Sequence, residues 1–368
     1  MAKKSTKKQL EKQSKKTLVF LVLLLLLTNI ATLTLWFTGF DLSTIQELIN
    51  PFVGTVQGNV LVLGDTTPET LDAYYIDIVN IGDSNLIQVG DFDILVDAGE
   101  KRDGTDAVVP FLTDKVKDGV IELTVVTHSD SDHNGGFSGL KDNGEYTGVY
   151  YSGLKFKYIT DYGYKEKYED TEYEVARKHA LEFSNGHYQS INDAFSGKEG
   201  TYSKVTIGDN FVLEFIDTKY YDIYGSNVND RSIVFIMTYF GKTFFFGGDI
   251  NDDQEKLLIK HYDLPKIDFY KASHHGSITS NCKEFLDVIN PSYIFLNTEI
   301  GNQHNIPNIK SLDIIDDYAD DNIYLTGVNG TINVHLAKEV LSLSFANNDT
   351  KFENTNYYTE IMNGNLHK

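Results

Sequence analysis

The chain is poor in cysteine, proline and tryptophan: among 368 residues there are one Cys (Cys282), six Pro and one Trp. A single Cys excludes an intrachain disulfide and any Cys-rich zinc module. With 41% hydrophobic and 23% charged residues, a collagen-like or wholly disordered chain is excluded as well. Positive charge is also scarce. Lys and Arg total 32 against 53 Asp and Glu, a net charge of −21. Residues 1–40 hold seven Lys and one acid, Glu11, so 25 basic and 52 acidic residues remain beyond them, a charge of −27. So acidic a globule repels nucleic acid at long range, which argues against a general DNA-coating protein. Bound metal ions supply positive charge locally, so phosphodiester cleavage stays open.

Long apolar runs are absent except for one. Thr17 to Phe40 is 24 residues without a charge. At ~1.5 Å per residue such a helix reaches about 36 Å, enough to cross a hydrocarbon layer of ~30 Å. Trp36 and Phe37 lie near its far end, where aromatic rings prefer the interface, and the preceding Lys cluster favours the cytoplasm. A cleaved signal peptide has a shorter apolar region that ends in an Ala-x-Ala-like site, and none follows here. Residues 1–16 therefore read as a cytoplasmic tail and 17–40 as a single-pass signal-anchor in the cell membrane. Residues 41–58 read as a juxtamembrane linker, 59–340 as an extracytoplasmic domain and 341–368 as a C-terminal extension.

From Asn59 onward, short β-branched and aromatic runs bounded by Gly, Asn or Asp predict strands. Helical patterns lie between them at Thr105–Lys117, Glu172–Phe183, Asp252–His261, Lys283–Ile289 and Ile309–Tyr318. The alternation falls into two similar halves, which predicts an α/β fold of two packed sheets with helices outside. Residues 141–203 are rich in Tyr and Lys with few aliphatics, and predict loops over the site.

The sharpest motif is His128-Ser-Asp130-Ser-Asp132-His133-Asn-Gly-Gly136, directly after the apolar run Ile121–Thr127. Four candidate ligands fall within six residues, and a strand end followed by a tight turn lets such side chains converge. Imidazole and carboxylate together suit zinc, manganese or iron without a thiolate. Gly135 and Gly136 would let the backbone turn sharply and a helix start close by. Asp130-x-Asp132-x-Asn134-Gly135 also matches the start of an EF-hand loop, but the closing Glu is missing because position 141 is Lys.

Three further strand ends carry similar groups: Gly247-Gly248-Asp249, Lys271-Ala-Ser-His274-His275-Gly276-Ser277, and Asn297 followed by a loop with Asn302 and His304. Alone, Asp249 is more often a helix N-cap, His274-His275 surface decoration and His304 an exposed loop histidine. Together they deliver His and Asp from four strand ends, where α/β folds place their sites.

These motifs resemble the metallo-β-lactamase superfamily, and within it the branch that contains the hydrolase domain of the competence protein ComEC. Asp77-Ile-Val-Asn-Ile-Gly82-Asp-Ser84 is similar to that branch's opening strand and turn, and Ile94-Leu-Val-Asp97-Ala-Gly99 to its second strand. His128 to His133 has the branch's His-x-Asp-x-Asp-His form, with Asp130 where the wider superfamily has His. Lys271 to Ser277, with Ser280, resembles its Lys-x-x-His-His-Gly-Ser-x-x-Ser motif. The likeness spans about 71–336.

The resemblance implies a four-layer αββα sandwich, behind the membrane helix, with the site at one edge of the two sheets. It implies two divalent metal ions, zinc or manganese. His128 and Asp130 would hold one, Asp132, His133 and His275 the other, and Asp249 would bridge. A further superfamily histidine, expected shortly before Ser232, is absent. Spacing does not decide between His274 and His275; the resemblance is carried onto His275. Lys271, His274 and His304 would hold a phosphate or protonate a leaving oxygen, and Asp132 is the residue whose loss would stop the reaction. The implied activity is metal-dependent hydrolysis of a phosphodiester, with DNA as substrate in a ComEC-like nuclease. The alternative is a surface phosphodiesterase for small or wall-polymer phosphodiesters, such as choline phosphates caged by tyrosines from 150–224. A third is a non-catalytic binding protein of the same fold.

Overall fold

The computed structural model describes residues 54–364 except 80, 164–170, 222–226, 320–321 and 339. The expected tail, the membrane segment 17–40 and the linker as far as residue 53 lie outside the described residues. Among the described residues no helix is long and apolar enough to cross a membrane.

One sheet runs, in spatial order, through Thr55–Gln57, Val60–Gly64, Lys204–Ile207, Phe211–Phe215, Phe235–Tyr239, Lys242–Phe246, Phe269–Lys271, Tyr293–Leu296 and Ile323–Leu325. The other runs through His187–Ser190, Lys155–Asp161, Val120–Val126, Phe92–Val96, Asn85–Val89, Leu71–Tyr75, Ile332–Ala337 and Val340–Phe345. Period-two alternation builds the interior. Phe211, Leu213 and Phe215 from the first sheet meet Leu71, Ala73 and Tyr75 from the second in one buried cluster. Tyr75 stacks on Phe295 across the sheets with ring centroids 4.3 Å apart.

The outer face of each sheet carries helices. Leu258, Phe285, Leu312 and Ile361, from helices Asp252–His261, Lys283–Ile289, Ile309–Ile315 and Asn356–Met362, cover the first sheet. Leu112, Phe137, Tyr173 and Ala176, from Val109–Lys115, Ser131–Ser138 and Glu172–Ser184, cover the second. The layers are thus helices, sheet, sheet, helices.

Lys242–Phe246, Phe269–Lys271, Tyr293–Leu296 and Ile323–Leu325 are parallel, so their C-terminal ends share one edge. Phe92–Val96, Val120–Val126 and Lys155–Asp161 are parallel in the other sheet. Two bonds join the sheets near this edge: Ile233 N donates to Thr127 O at 2.9 Å, and Asn297 Nδ2 to Asn85 Oδ1 at 2.9 Å.

Two expectations change. The described part of residues 141–203 is not mainly loops: Lys155–Asp161 and the edge strand His187–Ser190 pair in parallel. Tyrosine stands in for the missing aliphatics, with the ring buried at Tyr158 and half-buried at Tyr188 and both hydroxyls bonded. Tyr158 OH donates to Gly54 O at 2.6 Å, and Tyr188 OH donates to Asp161 Oδ1 at 2.8 Å. Residues 341–364 complete the fold instead of extending it. Val340–Phe345 pairs with Ile332–Ala337, and its Leu341, Leu343 and Phe345 pack against the inter-sheet core.

Candidate metal centre

The site forms where these parallel strands end. Val120–Val126 is buried along its whole length and delivers Thr127 and His128; helix Ser131–Ser138 then begins with Asp130 at its N-cap. Gly135 and Gly136 lie inside that helix, so they serve close approach and not the turn. A Cβ on Gly136 would stand 1.9 Å from Ala98 O. Gly136 N donates to Gly99 O at 2.7 Å, and Ala98 N to His133 O at 2.8 Å, which docks the helix on the turn after Asp97.

Buried Asp97 orders the first two histidines. Its Oδ2 accepts from Thr127 Oγ1 at 2.6 Å and from His133 Nδ1 at 2.8 Å. Thr127 Oγ1 in turn accepts from His128 Nδ1 at 3.0 Å. Both rings therefore offer Nε2 forward. His133 Nε2 lies 3.2 Å from Asp249 Oδ1. His128 Nε2 lies 3.9 Å from Asp249 Oδ2 and 3.8 Å from Asp130 Oδ2.

Asp249 follows the strand Lys242–Phe246, and its backbone N donates to Ser232 Oγ at 3.0 Å. His274 and His275 follow Phe269–Lys271 with φ of 51° and 55°, two consecutive left-handed residues. His275 Nδ1 donates to Asn297 O at 2.9 Å. Its Nε2 lies 3.3 Å from Asp249 Oδ2 and 3.5 Å from Asp132 Oδ2. His274 Nε2 lies 3.8 Å from Asp249 Oδ2.

The electrostatics ask for positive charge. Burial opposes charge on His133 and His275, but Asp249 outweighs it with help from Asp97 or Asp83; His133 is held well above its usual pKa and His275 is raised to about 9. Burial works against the Asp249 carboxylate, but the surrounding imidazoles keep it well below the usual range. Burial and neighbouring His133 keep His128 neutral, well below its usual value. Its Nε2 is buried with no hydrogen-bond partner, an orphan lone pair that a cation would satisfy. Two ligands at about 2.1 Å from a tetrahedral zinc stand about 3.4 Å apart. The spacings of 3.2 to 3.9 Å around Asp249 fit such an ion.

Asp83, His133, Asp249 and His275 have ligand atoms within 4.8 Å of one another, all buried. Asp83 nevertheless lies behind the rings: its oxygens approach Nδ1 of His275 at 3.5 Å and of His133 at 3.9 Å. Sequence reasoning gave it no role, although Gly82-Asp83-Ser84 stood in the opening motif. Gly82 at φ 150° brings Asp83 N within 3.1 Å of Asp132 O.

Lys271 is placed differently from a phosphate clamp. It is 1% exposed, its ammonium pairs with Asp83, and Asp249 Oδ1 is 4.0 Å away. It neutralises carboxylates behind the site. Asp132 and His274 remain open, with side chains 26% and 22% exposed.

A cleft of about 600 Å³ opens in front of the cluster, with Asp130, Asp132, Asp249, His274 and His275 on its floor. The loop Glu299–His304 forms the facing wall with Ile306, and His304 is exposed there. Asn302 Oδ1 ties this loop by accepting from His304 N at 3.1 Å and Ile306 N at 3.2 Å. Glu100 and Glu299 add to its acidity; no Lys, Arg or Tyr among the described residues lines it.

No family model matches the chain. ComE operon protein 3 of Bacillus subtilis (strain 168) is 26% identical over 116 residues, 32% of this chain and 15% of that protein's length. The metallo-β-lactamase fold protein YhfI of Bacillus subtilis is similar in structure, with a TM-score of 0.40 and 12% identity over 70% of this chain and 96% of that one. The short form of human tRNase Z is similar over 61% of this chain and 91% of its own, at 12% identity and a TM-score of 0.34.

Proposed function

We propose that residues 54–364 form a metal-dependent hydrolase of phosphodiester bonds, held outside the cytoplasm by residues 17–40. The observation that carries this is the convergence of His128, His133 and His275 Nε2 on Asp249, at the floor of an open cleft. A divalent cation bound there supplies Lewis acidity, activating water near neutral pH and neutralising charge on phosphoryl oxygens. The protein's own groups do the rest. Asp97 and Thr127 fix the ring orientations of His133 and His128. Asp132 faces His275 from the cleft side. His304 lines the opposite wall, and in this reading it would exchange a proton with the leaving alcohol.

The motif set supports a ComEC-like nuclease. The cleft's charge favours a smaller substrate. Among the described residues its lining has five carboxylates, Glu100, Asp130, Asp132, Asp249 and Glu299, and no Lys or Arg to follow a polyanionic backbone. A small or wall-polymer phosphodiester carries fewer charges past those acids. The tyrosine cage expected for choline has no counterpart among the described lining residues.

The test compares labelled linear DNA with bis(p-nitrophenyl) phosphate, each with Mn²⁺, Zn²⁺ or EDTA, using Asp132→Ala as control. Metal-dependent turnover of the small diester, lost in Asp132→Ala, is expected. Metal-dependent DNA cleavage at comparable kcat/KM would restore the nuclease assignment. Turnover of neither substrate by metal-loaded protein would refute phosphodiester hydrolysis.

A further inference from the structure

We propose that Tyr357, in the C-terminal segment, is a positioning residue of the cleft. Its hydroxyl fixes the wall Glu299–His304 in the shape that takes substrate, and so sets KM. The effect on KM rests on the hydrolase reading above; the anchoring of the wall stands apart from it.

The wall has fixed flanks and an exposed middle. Glu299–His304 lies in neither helix nor strand, and Ile300, Gln303 and His304 are exposed. Before it, Thr298 N donates to Thr326 Oγ1 at 3.1 Å; after it, Asn308 N donates to Gly276 O at 2.9 Å. Between these points the bonds of Asn302 stay within the loop and its flanks. Its Nδ2 donates to Thr298 Oγ1 at 3.2 Å and to Glu299 O at 2.9 Å, and its Oδ1 accepts from the amides of His304 and Ile306. These bonds shape the loop without attaching its tip to the body. Gly301 makes that attachment: at φ 71° its N–H donates to Tyr357 OH at 2.8 Å.

The acceptor is rigidly held. Residues 346–364 lie beyond the motif-bearing stretch 71–336 and cross from strand Val340–Phe345 to the outer face of the first sheet. Asn329, wholly buried, holds the crossing: its Nδ2 donates to Asn348 O at 2.9 Å and to Thr350 O at 2.8 Å. Asn348 Nδ2 donates back to Val328 O at 2.9 Å. Phe352, Tyr357 and Ile361 then sink into the outer core, and Tyr357 is 9% exposed. A phenol ring packed in this way presents its oxygen at a fixed point. The turn Thr326–Asn329 that mounts this segment also backs the loop. A Cβ on Gly327 would stand 2.8 Å from Thr298 O and 2.9 Å from Ile300 N.

The kinetic consequence follows from preorganisation. An exposed loop released from its anchor samples other shapes. Substrate then binds the fraction of molecules whose wall is in place, and apparent affinity falls by that fraction. Once bound, substrate itself holds the wall, so kcat keeps its value while KM rises. Loss of one such hydrogen bond corresponds to a factor of about two to ten.

The test compares Tyr357→Phe with Tyr358→Phe in the full-length, metal-loaded chain. Each variant removes one hydroxyl from the helix Asn356–Met362, but the Tyr358 hydroxyl pairs with Asp316 and does not reach the wall. For bis(p-nitrophenyl) phosphate, Tyr357→Phe should raise KM about two- to tenfold with kcat and metal content unchanged. Hydrogen exchange read by mass spectrometry should quicken in the peptide that contains Gly301. Tyr358→Phe should match the wild type in both measurements. An unchanged KM and unchanged exchange in Tyr357→Phe overturn the proposal. So does an equal KM rise in Tyr358→Phe, or a loss of metal from Tyr357→Phe, since either shows general loosening. A wild type that turns over no diester refutes the hydrolase reading, and with it the effect on KM. Exchange alone then decides the anchor: faster exchange confined to Tyr357→Phe upholds it, and unchanged exchange overturns it.

Discussion

At the scale of single residues, the site depends on how each imidazole is tied. Asp97 sits at φ 57° and accepts from Thr127 N, Thr127 Oγ1 and His133. Asparagine tolerates that backbone, so Asp97→Asn isolates the chemistry. Its amide would set an N–H against a donor. Metal affinity should fall about 10–100-fold with the fold intact, as titration calorimetry would read. Unchanged affinity would deny Asp97 its orienting role. The ligand-bearing motif from His128 to His133 was legible because its ligands are local in sequence. The roles of Asp83 and Lys271 were not, because their ion pair joins residues 188 positions apart across the two sheets. Nor could spacing show that His274 and His275 face the same carboxylate, since left-handed backbone at both leaves no mark in the sequence.

At the scale of elements, close approach and buried acids set the constraints. Helix Ser131–Ser138 touches the turn after Asp97 through Gly136, where a Cβ would meet Ala98 O. Gly136→Ala should cost about 1–3 kcal/mol or more by overpacking, and loosen the metal site with it. Denaturant unfolding and metal titration together check both effects. A second constraint lies in neighbouring strands. Glu122 Oε2 accepts from Asp93 N at 2.8 Å, and burial raises Asp93 to about 7 and Glu122 to about 8. Gln88 bonds Asp93 at 2.8 Å, while Asp91 and Asp118 add negative charge nearby. The folded state keeps protons on these two groups that the unfolded chain loses near pH 4, so the pair's contribution to stability is fully present below that pH. That contribution is lost as pH rises to about 8, on the order of a few kcal/mol. The double variant Asp93→Asn, Glu122→Gln should flatten this slope in unfolding curves at pH 5 and 8.5; an unchanged slope would contradict it. Helices such as Lys283–Ile289 were legible from their apolar period. The last two strands at one end of the second sheet, Lys155–Asp161 and His187–Ser190, were not, because tyrosine's polar end disguised buried positions such as Tyr158.

For the whole molecule, the two-sheet architecture followed from alternating strands and helices, and it gathers the parallel strand ends at one edge. The charge beyond residue 40 is −27, and the cleft repeats that sign. Added salt screens such repulsion, so kcat/KM toward an anionic diester should rise between about 10 and 150 mM salt. Proteins that bind nucleic acid through basic surfaces show the opposite slope, and finding it here would contradict the role given to the acidic cleft. The most direct test of the central claim is hydrolysis of bis(p-nitrophenyl) phosphate by the wild type and Asp249→Asn, with Mn²⁺ and with EDTA. Turnover that requires the metal and disappears in Asp249→Asn is predicted. Turnover that survives both EDTA and Asp249→Asn would contradict a reaction centred on this cluster.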